Sequence, residues 1–338
     1  MRSFASDNYA GLHPEIVAAM MAANEDHAKS YGYDDVTSRA DELFRHEFGD
    51  QVRVFTVHNG TGANVTALQL MLARHEAVMC SRTAHIATDE AGAPQRILGT
   101  ALMLIDTADG RIQPDDLRTA MAGRRDEHQV IPRVLSISQS TELGTVYSLN
   151  ELRELTGVAH ALGLLVHIDG ARLANAAAAL GVSLRQACEG ADILTFGGTK
   201  NGAMNAEAVV VINPALGRDA LHVRKQLMQL ASKMRFTSAQ WVGLLTDELW
   251  HRNATHANAM AHRLREGVSG IPGVELAYPS QANAVFAKLP HEAVAPLLEQ
   301  FSFYVWEESN DVVRWMASWD TTESDVDALA AAVRTACS

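Results

Sequence analysis

Ala191-Asp192-Ile193-Leu194-Thr195-Phe196-Gly197-Gly198-Thr199-Lys200-Asn201-Gly202 runs from an apolar strand into two glycines, a hydroxyl residue and a single lysine. A lysine at the dry end of a sheet loses hydration. Its pKa falls, and the amine becomes available as a nucleophile of the Schiff-base kind. A solvated lysine in a glycine-rich turn has the same local sequence, so the neighbouring segments must decide between them.

Working outward, the pattern of this stretch repeats. Leu164 to Ile168 reads as a strand that ends in Asp169-Gly170-Ala171-Arg172. Val134 to Ile137 reads as another, followed by a loop holding Thr141-Glu142-Leu143-Gly144. Ser148 and Glu151 form a capping box for the next helix, which Gly163 ends. Ala77 to Cys80 and Leu102 to Ile105 are short apolar strands, and Ala208 to Ile212 follows the lysine turn as one more. Val52 to Val57 leads into His58-Asn59-Gly60-Thr61-Gly62-Ala63-Asn64 and then a helix. That order suits an anion at the helix N-terminus. It equally suits a tight strand-to-helix turn, and it matches neither a Walker A loop nor GxGxxG. Apolar strands alternating with helices predict an α/β fold with a mostly parallel central sheet. In such sheets ligands bind beyond the carboxyl ends of the strands. Gly60, His85, Glu142, Asp169 and Lys200 all follow predicted strands, which points to one site.

Elsewhere the pattern predicts a basic helix over 221–234 and one long helix over 241–268. Arg124 to His128 reads as a charged surface connection. The last third holds short strands with flanking helices, a small α+β unit in which Arg314 interrupts an apolar strand. The expected division is a large α/β domain over 1–240, with an N-terminal arm, and a small C-terminal domain over 241–338.

At 338 residues the chain can bury a large core. Its net charge of −12 argues against a nucleic-acid partner. Three scattered cysteines fit a reducing compartment, and no signal segment or apolar run of about 18 residues appears. A cytoplasmic location without membrane contact is the expectation. The 14 histidines form no close metal pair, so no metal site is predicted.

These residues supply the parts that pyridoxal phosphate chemistry needs: a lysine, a carboxylate for the ring nitrogen, a helix N-terminus for phosphate, a ring to stack and an arginine for a carboxylate. His167-Ile168-Asp169-Gly170-Ala171-Arg172-Leu173 with Phe196-Gly197-Gly198-Thr199-Lys200 resembles the threonine aldolases, within the aromatic amino acid β-eliminating lyase and threonine aldolase family. Ser6-Asp7, Gly60 to Asn64 and Ala84-His85 are also similar to it, so the likeness spans nearly the whole chain. The resemblance implies the fold-type-I aminotransferase architecture and pyridoxal 5′-phosphate as cofactor. It implies Lys200 as the Schiff-base residue, Asp169 at the pyridine nitrogen, Gly60, Thr61 and Gly62 at the phosphate, and His85 on the ring. Thr199 and Arg172 join the cofactor set, while Ser6, Arg172 and Arg314 grip the substrate carboxylate.

The implied reaction is cleavage of threonine, allo-threonine or phenylserine to glycine and an aldehyde, by a homotetramer built from dimers. A β-eliminating lyase, an amino acid racemase, or a non-catalytic phosphate-binding protein are the competing readings. One departure stands out. Glu142 occupies the loop position where many members of the family carry a histidine near the substrate hydroxyl. Glu142, His85 or water then remain as proton acceptors, unless Glu142 is only a solvated loop residue.

Overall fold

The computed structural model describes residues 3–123 and 126–338; Met1, Arg2, Arg124 and Arg125, the last two from the predicted 124–128 connection, lie outside the described residues. Its strands are β1 (Arg53–Val57), β2 (Glu76–Ser81), β3 (Ala101–Ile105), β4 (Ile131–Ser138), β5 (Leu165–Gly170), β6 (Ile193–Gly197), β7 (Glu207–Val211), β8 (Glu275–Leu276), β9 (Ala284–Lys288), β10 (Tyr304–Glu307) and β11 (Val312–Met316). Seven form the larger sheet in the order β1-β7-β6-β5-β4-β2-β3. Only β7 runs against the others, pairing antiparallel with both β1 and β6. The sheet is thus mostly parallel, as the strand–helix alternation predicts.

Alternation along each strand sends side chains to two faces. Leu194, Phe196, Ala208 and Val210 join one buried cluster, while Ile193, Val209 and Val211 join another. Burial on both faces explains why these strands read as unbroken apolar runs. On the first face the helix Asp35–Phe48 brings Phe44 and Phe48 against Phe196 and Trp241; Phe196 and Trp241 stack with centroids 5.2 Å apart. Each such buried aromatic contributes about 1.5–3 kcal/mol relative to exposure. This packing fixes the end of β6, from which Lys200 follows directly.

The smaller sheet has the order β10-β11-β9-β8 and is antiparallel throughout. The helices Leu249–Val268, His291–Gln300 and Glu323–Ala336 cover it. The N-terminal arm belongs to this packing: Phe4 is buried in its core, donates its N–H to the Ser302 carbonyl at 2.8 Å and accepts from the Met316 N–H at 2.8 Å. The first residues of the chain are therefore tied to the end of β11.

Two helical expectations need correction. The segment 221–234 is not one helix: Ala220–Gln226 ends, Met228 takes φ 63°, and a new helix runs Met234–Leu245. The break lets the Gln229 side chain accept the His58 N–H at 3.0 Å. The expected long helix over 241–268 is interrupted at Asp247 and Glu248, whose φ values are 50° and 54°. The turn redirects the chain so that Leu249–Val268 packs first on the large core, through Leu249 and Ala254, and then on the small one, through Leu264 and Val268.

Candidate active site

A cleft opens at the carboxyl ends of the parallel strands. Asp169, near the end of β5, is buried; its Oδ2 accepts from Asn64 Nδ2 at 2.9 Å and its Oδ1 from the Ala171 N–H at 3.0 Å. Burial raises its pKa, but the His85 charge, the Ala171 N–H and Asn64 outweigh this and hold it below the ordinary carboxylate value. Asn64 lies on the helix Gly60–Met71 and also accepts from Thr195 Oγ1 at 2.9 Å and donates to Glu90 Oε1 at 2.8 Å. That Glu90 oxygen is 2.9 Å from His85 Nδ1, and this contact raises the His85 pKa against the effect of burial. The ligand atoms of His85, Glu90 and Asp169 lie within 4.8 Å of one another. The direct His85–Glu90 contact and the Asn64 amide, which donates to both Glu90 and Asp169, account for that spacing.

Gly60 lines the same slot, with Thr61 and Gly62 following in the first turn of its helix. Asn59 caps the turn, accepting the Gly62 N–H at 2.7 Å; the N–H groups of Gly60 and Thr61 begin the helix without intrahelical acceptors. Gln229 covers Gly62 so closely that a Cβ there would lie 2.4 Å from its amide. The glycines before Lys200 serve packing within the protein. A Cβ on Gly197 would lie 2.9 Å from Glu207 Oε2, and one on Gly198 would lie 3.0 Å from Leu244 Cδ2. A side chain at either position would displace Glu207 or Leu244.

Lys200 sits in the short turn Thr199–Asn201, and among the described residues its amine has no hydrogen-bond partner. Burial, then the Arg172 charge, lower its pKa; Asp7, Asp169 and Glu207 oppose the fall. Glu142 forms the opposite wall. Its Oε1 accepts from Ser138 Oγ at 2.6 Å and from the His85 N–H at 2.9 Å, so it is anchored and not a free loop side chain. Burial and the Asp169 charge raise its pKa above the ordinary glutamate value, against the pull of Ser138 and the His85 N–H.

At the other end Arg172 and Arg314 border a pocket of about 510 Å³ with Ser6, His85, Glu142 and Lys200. Arg172 is not an open fork. Its Nε and Nη2 donate to Asp7 at 2.7 and 2.9 Å, and Nη2 also contacts Met316 Sδ at 3.1 Å. Two of its three nitrogens are thus held by Asp7. Asp7 is 2% exposed and also accepts from Asn283 Nδ2 at 3.0 Å. Arg314 lies over Trp306 and Tyr304, donates to the Ala5 carbonyl at 2.9 Å and keeps a buried Nε without a partner among the described residues. Burial, then the Arg172 charge, push its pKa down to about 10. Two cations that repel each other across a pocket suit an anionic guest. Ser6 caps the turn Asp7–Tyr9, its Oγ accepting from the Asn8 N–H at 3.2 Å.

The cleft brings together Ser6, Gly60, His85, Glu142, Asp169, Arg172, Lys200 and Arg314, while Thr61, Gly62 and Thr199 adjoin it along the chain without lining it. Sequence reasoning missed Asp7, Glu90, Asn283 and Glu207 as members. Asp7 and Asn64 stand inside motifs already noted, but Glu207 opens a strand, where the search for residues after strands does not look.

The β-eliminating lyase family model matches residues 3–291. The low specificity L-threonine aldolase of Pseudomonas sp. strain NCIMB 10558 is 44% identical over 337 residues, covering 98% of this chain and 97% of that protein. The low specificity L-threonine aldolase of Saccharomyces cerevisiae is 28% identical, over 86% of this chain and 75% of that one. Among solved structures, the threonine aldolase of Leishmania major superposes with a TM-score of 0.95 at 31% identity, covering all of both chains. Sheet order, cleft and sequence agree, and the chain belongs to the β-eliminating lyase family, with the fold-type-I architecture of its pyridoxal phosphate enzymes.

Proposed function

We infer that this chain is an aldehyde-lyase that cleaves β-hydroxy-α-amino acids, threonine and allo-threonine among them, to glycine and an aldehyde with pyridoxal phosphate bound at Lys200. The observation that carries this reading is the meeting, in one cleft, of an unpartnered lysine, a buried carboxylate and two arginines around Glu142 and His85. The residues fit the cofactor. Lys200 offers an amine of lowered pKa for a Schiff base, Asp169 a permanent negative charge for the ring nitrogen, and Gly60, Thr61 and Gly62 a helix start for phosphate, with Thr199 beside Lys200. Ser140 Oγ, buried and without a partner among the described residues, faces the same slot. When bound, pyridoxal phosphate supplies a sink for the electrons of the Cα–Cβ bond.

The chain's own residues do the rest. Arg314, the remaining Arg172 nitrogen and Ser6 bind the substrate carboxylate. The Asp7 tie keeps the Arg172 plane fixed while this happens. The His85 ring covers the cofactor face and is kept in orientation by Glu90. Glu142 accepts the proton of the β-hydroxyl; its raised pKa makes it a better acceptor than an exposed glutamate. His85 is the other group within the wall able to take that proton.

The same reading includes a cytoplasmic homotetramer of paired dimers, divided into a large domain over 1–240 and a small one over 241–338. Its support is the surface. Tyr31, Tyr33 and Leu221 line one pocket of about 430 Å³ and are exposed, Tyr33 by 75%. All three cysteines are free, and among the described residues no helix is long and apolar enough to cross a membrane.

The test is a product assay with threonine, allo-threonine and phenylserine side by side. Glycine with acetaldehyde or benzaldehyde is expected, and Lys200→Ala should lower the rate by on the order of 10³-fold or more. Ammonia with a 2-oxo acid would instead make the protein a β-eliminating lyase, and an inverted amino acid a racemase.

A further inference from the structure

Glu207 is the first residue of β7, the one reversed strand of the large sheet. The other strands offer their last residues to the cleft. Reversal makes β7 offer its first. In register Glu207 faces Gly197 on β6 and Val57 on β1, and only the missing side chain at Gly197 leaves room for its carboxylate. It is 7% exposed and lines the same slot as Lys200, Asp169 and Gly60.

A buried carboxylate without a cation is costly, so the charges facing Lys200 need to be compared. Six groups face it from six segments. Asp7, on the N-terminal turn, is held by Arg172 and Asn283. Asp169, on β5, is held by Asn64 and the Ala171 N–H. Glu142, after β4, is held by Ser138 and the His85 N–H. Arg172 carries positive charge and works against the Lys200 ammonium, as does His85 when protonated. Glu207 has beside it the hydroxyl and N–H of Thr199, the residue before Lys200, and feels the charges of Lys200 and Asp169. Burial pushes its pKa up to about 7, against the pull of Thr199 and Lys200. Asp7 and Asp169 also oppose the fall in the Lys200 pKa, but Glu207 is the carboxylate whose hydrogen-bonding neighbour lies on the turn of Lys200 itself.

We propose that Glu207 is a counter-charge that raises the proton affinity of the Lys200 nitrogen, and so acts as a positioning residue through Lys200. This rests on the reading of Lys200 as the cofactor anchor. A negative charge at this place favours the protonated nitrogen, which the Arg172 charge and burial disfavour. The turn Thr199–Asn201 carries Thr199, the neighbour of the Glu207 carboxylate, next to Lys200, so the charge is placed close to the lysine.

The experiment is a pH titration of the visible band of the holoenzyme, near roughly 410–430 nm, in wild type, Glu207→Asp and Glu207→Gln, with thermal melting in parallel. The midpoint is expected to fall in that order, by about one pH unit for Glu207→Gln, a tenfold loss of proton affinity. Glu207→Asp keeps the charge one methylene further off and falls between. If Glu207→Gln does not fold, a lowered midpoint in Glu207→Asp carries the test. An unmoved midpoint in a folded variant that keeps the band overturns the proposal while leaving Lys200 as the anchor. A wild-type band that survives Lys200→Ala overturns both.

Discussion

The two ends of the cleft are built by different means. At the cofactor end, Gly60, Asn64, Asp169 and Lys200 come from strand–turn segments of one sheet. Asp169 is fixed in register within β5, Lys200 by the turn after β6, and Gly60 and Asn64 by the helix that follows β1. At the carboxylate end, Ser6 and Asp7 come from the N-terminal arm, Arg172 from the sheet, and Asn283 and Arg314 from the small domain. No single element holds these five together, although Arg314 sits within β11 and Ser6 caps the turn Asp7–Tyr9. Their positions depend on the arm lying against β11, through Phe4 and Met316. The first end has stability in its scaffold, while the second depends on long-range ties that a single change can cut.

Asp7→Asn breaks this comparison most severely. It leaves the buried Arg172 charge without its partner, and a loss of about 3–5 kcal/mol of stability is expected. Calorimetry or denaturant unfolding would measure it. The cofactor band should persist at low temperature; its disappearance along with the tie would mean that the two ends are one cooperative unit. The sign with pH follows. The Asp7 pKa is lowered, Arg172 and Asn283 outweighing burial. Its contribution to stability is therefore complete above the ordinary carboxylate value and is lost as pH falls through the lowered one. Wild type should lose this contribution in acid, and Asp7→Asn should show less of that loss.

A smaller effect is expected where the ends meet. Glu142→Gln should lower kcat by about 10²-fold with little change in KM. Because the Glu142 pKa is raised, its carboxylate form is lost as pH falls through a value above the ordinary one. The acid limb of kcat should accordingly lie above the usual glutamate range in wild type and disappear in Glu142→Gln. A limb that stays in place would move the proton to His85.

The mildest change sharpens the carboxylate end alone. Arg314→Lys keeps the charge but loses the planar fork and its place over Trp306 and Tyr304. KM for threonine should rise about tenfold with kcat nearly unchanged. A fall in kcat instead would show that Arg314 helps orient the bond to be broken.

Much of this is legible in the sequence alone. Periodicity showed the alternating strands, and the residues following them were Gly60, His85, Glu142, Asp169 and Lys200. Breaks inside helices were not legible. Asp247 and Glu248 adopt positive φ that neither residue type announces, and the Met228 turn is imposed by the contact of Gln229 with His58. The state of Arg172 was not legible either, because its partner lies 165 positions away.

The sequence by itself determined the fold class, the strand-end placement of the lysine and the family resemblance, since these rest on local periodicity and contiguous motifs. Tertiary structure alone decided how the charges are shared. Asp7 closes the Arg172 fork, Glu90 holds the His85 ring, and the reversed β7 delivers Glu207 beneath Gly197. The physical reason is that the electrostatics of a buried group depend on everything within a few ångströms, and those neighbours come from segments distant in the chain.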